Sequence, residues 1–165
     1  IWQKRRANIL SIVTSGRIKY LDEIRKANGF LLGLIDRDTI KFLAKTQKTD
    51  KCCESYLVSL NTEVGKLKTY FKPFYPIEQA IISALDALVE QCTAQFLSPE
   101  QELGTELNTA AKRYNTLYAQ YDWAYWQYIQ KQADGKFLNS SVQFDKVYGE
   151  LAKEMKKDYD YTWLS

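Results

Sequence analysis

The sequence predicts an all-α fold, an antiparallel up-and-down bundle of four to five long helices, and three observations carry that expectation. Apolar residues recur at intervals of three and four along every long segment, as one face of a helix requires. No segment alternates apolar and polar residues in the two-residue period of a half-buried strand. The connections are short, so each helix folds back on the last and turns its apolar stripe inward.

The first helix follows Ile9, Val13, Gly16, Tyr20, Ile24, Ala27, Leu31 and Leu34, from about residue 4 to about residue 35. Asp36 and Asp38 offer capping oxygens before Ile40, Phe42 and Leu43, so the helix either restarts there or continues through a kink. Lys45 to Lys51 reads as a polar loop. The next helix carries Cys53, Leu57, Leu60, Val64, Leu67 and Phe71 on one face and stops near Lys72, because Pro73 and Pro76 cannot continue it. Pro76 suits the first turn of the following helix, whose face is Ile77, Ile81, Leu85, Leu88, Cys92 and Phe96. Ser98, Pro99, Glu100 and Gln101 form a capping-box start for a helix running to about Gln132, roughly 50 Å long. Asp134 and Gly135 end it, and Ser140 or Ser141 caps a last helix with the face Phe144, Tyr148, Leu151, Met155 and Tyr159.

With 165 residues, 45% hydrophobic and 26% charged, the chain falls in the range of one globular domain spanning 1–165 and outside the disordered class. Asp86 interrupts the most hydrophobic helix, so no stretch reaches eighteen apolar residues without a charge. Residues 1–51 hold twelve Lys/Arg against five Asp/Glu, while the remainder hold eleven against fifteen. The cations are interleaved with Asp22, Glu23, Asp36 and Asp38, which argues against a nucleic-acid stripe and for a basic helix packed beside acidic ones. The chain begins at Ile1 rather than Met, so the reading expects a processed product or a piece of a longer protein, with any membrane contact carried by the missing upstream segment. Trp2 beside Lys4, Arg5 and Arg6 resembles a membrane-interface flank, and is taken as a basic helix start.

Cys53 lies 18 residues before Phe71 and Cys92 lies 16 after Pro76. In a hairpin their heights above the turn would be about 27 and about 24 Å, level on inward stripes. A Cys53–Cys92 disulfide would stabilise the fold by roughly 4 kcal/mol and place the protein in a periplasmic or extracellular compartment. The alternative is two unbonded cysteines packed as small core residues. Cys52 points about 100° away and is left over.

The chain has no histidine, which removes His-dependent nucleophile systems, histidine-ligated zinc or haem, and the Glu-x-x-His motif of diiron bundles. The three cysteines form no C-x-x-C motif, and Gly29 and Gly33 sit in a helical pattern without the Lys-Ser/Thr of a phosphate loop. Asp36 and Asp38 lack the further ligands of a calcium loop and read as caps. No cofactor, metal or catalytic residue is therefore expected.

The candidate site is aromatic. Tyr114, Tyr118, Tyr121, Tyr125 and Tyr128 fall on one face of their helix, while Trp123 and Trp126 are rotated toward a seam or the surface. Large rings fill a wide core seam, and the same residue types dominate binding hot spots. Tyr70, Phe71, Phe74 and Tyr75 mark a second aromatic group at the tip between two helices. The expected function is a non-catalytic binding protein (adaptor, inhibitor, immunity-type or assembly component) acting on a protein partner. One alternative is an extracytoplasmic ligand-sensing bundle with an aromatic pocket for a small molecule; another is a membrane-active helical protein using the tip aromatics.

Overall fold

The computed structural model of the protein describes residues 1–46, 50–73, 75–100 and 104–133, with the side chains of 50–54, 104 and 131–133 outside that description. The helix expected over Phe144 to Tyr159, the side chains of Cys52 and Cys53, and Phe74 lie outside the described residues. Among the described residues the chain forms five helices and no strand, an all-α architecture of helices packed on one another.

The long N-terminal period produces α1, Trp2–Leu32. Gly33 and Leu34 then turn, the Leu34 N–H donating to the Leu31 carbonyl at 2.8 Å. The chain restarts as α2, Arg37–Thr46, because Asp36 supplies the missing partner for its first turn. Its Oδ2 accepts from the Thr39 N–H at 3.0 Å and from the Thr39 hydroxyl at 2.9 Å. Of the two readings of the Asp36 region, the restart is the observed one.

α3, Asp50–Tyr70, and α4, Pro76–Leu97, form a hairpin around the proline-bearing turn. Pro76 occupies the first turn of α4, where the absent N–H costs nothing, and Tyr75 precedes it in extended conformation. Buried Glu78 lies in that first turn, with its Oε1 3.4 Å from the Lys72 N–H of the turn. α5, Gly104–Ala133, is about 45 Å long. The expected capping box at Ser98 is not where its described helix begins. The α4 helix runs through Leu97, and the Ser98 N–H donates back to the Ala94 carbonyl at 3.1 Å, so Ser98 closes α4.

The residues fall into two compact units. In the unit of residues 24–118, α2 and α3 both pack on α4. Ile24 and Leu31 of α1, Ile40 of α2, Leu60 and Leu67 of α3, Ile81, Leu85 and Leu88 of α4, and Leu107 and Leu117 of α5 are buried together as its core. By length and composition α4 is apolar enough to cross a membrane, with a mean hydropathy of 1.2 over eighteen residues. Its Ile81, Leu85 and Leu88 are taken up by this core, and on its outer side Asp86 pairs with Lys68 of α3.

The second unit joins residues 1–23 with the described residues from 119 onward. Here α1 and α5 run antiparallel. Tyr20 meets Tyr125 with ring centroids 5.6 Å apart, and Arg17, three residues earlier, lies over Tyr128, three residues later. Leu21, Tyr121, Ala124, Tyr128 and Ile129 are buried in this unit.

The level expected for a Cys53–Cys92 disulfide is occupied differently. Among the described residues Cys92 is a free, buried thiol with no cysteine at disulfide distance. The side chain beside it is Tyr56, one turn further along α3, whose ring stacks on Phe96 at 4.6 Å and whose hydroxyl donates to the Leu34 carbonyl at 2.8 Å. Residue counting gives a height above the turn, but not which side chain lies next to the sulfur, and here that is Tyr56. The expectation of a periplasmic or extracellular location rested on that bond and loses its argument with it.

Candidate functional site

The spacing of four, three, four and three puts the α5 phenols on one face, and that face is turned inward. In the 24–118 unit Tyr114 is fully buried, and its hydroxyl donates to Oδ1 of Asn28, itself buried on α1. Burial pushes the Tyr114 phenol well above its ordinary value, with neighbouring Tyr118 adding to the effect. The Tyr118 ring lies 6.1 Å from that of Tyr114 and is half-buried.

In the other unit Tyr121, Tyr125 and Tyr128 continue as a ladder, with successive centroids 5.8 and 6.1 Å apart. Offset and tilted rings at that separation are the favoured aromatic geometry. Tyr20 extends the ladder onto α1, and the Arg17 guanidinium sits 4.6 Å from the Tyr128 centroid, within the range of a cation–π contact. In each unit the α5 rings are packed inward, and Tyr114, Tyr125 and Tyr128 meet Asn28, Tyr20 and Arg17 of α1.

Two tryptophans flank the ladder without joining its buried side. Trp123 stands two positions, about 200° of helix turn, from Tyr121. It is 39% exposed, and Trp126 is half-buried. At the α3–α4 tip Phe71 is buried while Tyr70 and Tyr75 are half-buried, so that group covers the end of the hairpin.

Burial shapes the chemistry of the seam between α3 and α4 as well. The Cys92 thiol is pushed up to about 12 by burial, partly offset by its hydrogen bond with Tyr56. The Tyr56 phenol is raised by burial and by the sulfur beside it. Both stay protonated at neutral pH, so neither is a nucleophile. Among the described residues no three His, Cys, Asp or Glu side chains gather as a metal site would require, and Asp36 is engaged as a cap.

Arg17, Asn28, Tyr56 and Glu78 escaped the sequence reading. Each had one faint signal, a polar group within an apolar row: Asn28 follows Ile24 by four residues and precedes Leu31 by three. Compared with protein-family models, with curated proteins and with solved structures, the chain finds no match.

Proposed function

We propose that the protein is a non-catalytic helical binding protein that acts through contacts with another protein. The observation that carries this reading is the division of aromatic labour on α5. The phenols Tyr114, Tyr121 and Tyr128 are buried, whereas Trp123 keeps 39% of its surface in solvent. A large ring held by a rigid helix and left open costs little ordering entropy on binding, which is why tryptophan anchors are frequent in hot spots. The absence of histidine from the chain and the protonated state of buried Cys92 favour binding over catalysis.

The test is site-specific photo-crosslinking in the native host with a photoreactive amino acid at position 123. A discrete adduct is expected, lost when excess wild-type chain competes and retained against the same excess of a Trp123→Ala copy. Position 121, buried beside it, should give none. Failure to form an adduct at 123, together with a ligand-library thermal shift that depends on the buried phenols, would replace this reading with the ligand-sensing one.

A further inference from the structure

Beyond that reading, the N-terminal half of α1 carries a second row of apolar residues that the α1–α5 packing does not use. Trp2, Arg5, Ile9, Ile12, Gly16 and Lys19 follow one another at intervals of three and four, a line of about 26 Å along one side of the helix. All six are exposed, with Trp2, Ile9 and Ile12 at 71%, 56% and 73%. A Cβ built on Gly16 would meet no atom within 4 Å, so the row is open along its length. The adjoining row of the same stretch, about 100° further round the helix, holds Leu10, Val13, Arg17 and Tyr20, which are half-buried. The helix therefore has one apolar side turned to its neighbour and another turned to solvent.

The charge around the open row has a single sign. Residues 1–21 hold Lys4, Arg5, Arg6, Arg17 and Lys19 and no carboxylate before Asp22. Arg5 and Lys19 bracket the apolar centre of the row, and the Arg6 guanidinium lies 5.7 Å from the Trp2 ring centroid. Apolar side chains in the middle, long cationic side chains able to snorkel at both ends, and a tryptophan at the rim are the requirements of a helix lying in a membrane interface.

We propose that this face of α1 docks flat on an anionic bilayer surface, with Ile9, Ile12 and Trp2 entering the headgroup boundary and Arg5 and Lys19 on lipid phosphates. Charge selects this occupant over the others. The same face of a second copy would bring Lys4, Arg5, Arg6 and Lys19 of each chain together with no carboxylate among them, and a nucleic-acid backbone would leave Ile9 and Ile12 without apolar contact.

The full chain is floated with vesicles of phosphatidylcholine carrying about 30% phosphatidylserine, and with phosphatidylcholine alone, at about 0.1 M salt. Binding to the anionic vesicles only, weakened by added salt, is expected. Arg5→Glu/Lys19→Glu and, separately, Ile9→Ser/Ile12→Ser should each reduce it at least about tenfold. Because the four positions are exposed, an unchanged far-ultraviolet circular dichroism spectrum shows that the variants fold. Flotation that neither pair affects, equal flotation with both vesicles, or no flotation would each overturn the proposal. A dimer in sedimentation equilibrium that Ile9→Ser/Ile12→Ser dissociates would equally overturn it, by showing a second copy on the face.

Discussion

Replacing Tyr114 with phenylalanine removes one oxygen from the core of the 24–118 unit and tests how that core holds a polar pair. The phenol and Asn28 are both buried, and the hydroxyl donates to the Asn28 side-chain carbonyl. A typical intact bond is worth about 1 kcal/mol net, whereas removing one partner and leaving a buried carbonyl unsatisfied costs about 1–3 kcal/mol. The expected cost of Tyr114→Phe is therefore about 2 kcal/mol, with little cavity contribution because the ring remains. Urea unfolding reads this as a fall in midpoint of about 1 M, taking a slope of about 2 kcal/mol per molar. Asn28→Leu alone strands the phenol instead and should cost a similar amount. Combining the two removes both polar groups, so the double variant should be far more stable than the sum of the single losses implies, with a coupling of about 1–2 kcal/mol. A single-variant cost under about 0.5 kcal/mol, or simple additivity in the double, would refute the buried-pair argument.

Two further expectations concern the same seams. Tyr121→Ala, in the ladder of the other unit, should cost about 3 kcal/mol in the same assay, and a loss under about 0.5 kcal/mol would put that face at the surface. The Cys92 thiol, pushed up to about 12 from an ordinary 9.0, binds its proton more tightly folded than unfolded. Its stabilising contribution is therefore whole below about pH 9 and declines as pH rises toward 12, by up to about 4 kcal/mol. Alkaline unfolding should begin above pH 9, with Tyr56 contributing in the same direction, and Cys92→Ala should flatten the decline. In native protein at pH 8 a thiol reagent should reach Cys92 only on unfolding; reaction at the rate of a free cysteine would contradict the burial argument.

The helices were legible because burial along a helix is a one-dimensional pattern: Ile24, Ala27 and Leu31 announce their face by spacing alone. The stops were legible where a residue's backbone chemistry forces them, as at Pro76, and ambiguous at Ser98, which has the side chain of a helix start yet completes the end of α4. The tyrosine face was read correctly as a stripe, but spacing assigns direction, not depth. It could not separate fully buried Tyr128 from half-buried Tyr118. Arg17 and Asn28 were missed because a polar residue in an apolar row looks like an interruption until the aromatic partner on α5 is placed opposite it. The disulfide expectation met a related limit: height above a turn can be counted, but that Tyr56 lies beside the Cys92 sulfur cannot be read from spacing.

The Asn28–Tyr114 bond joins residues 86 apart in the chain, and that distance orders events during synthesis. At about 5–20 residues per second, on the order of ten seconds pass between the emergence of one partner and the other. The hairpin of α3 and α4, closed by a short turn, can form in that interval, whereas the seam between α1 and α5 must wait and meets the greater loop-closure entropy. Until Tyr114 arrives, the Asn28 amide keeps its hydrogen bonds to water. A single polar atom pair thus discourages nascent α1 from burying this stretch against an apolar surface, and rewards α5 for arriving in register.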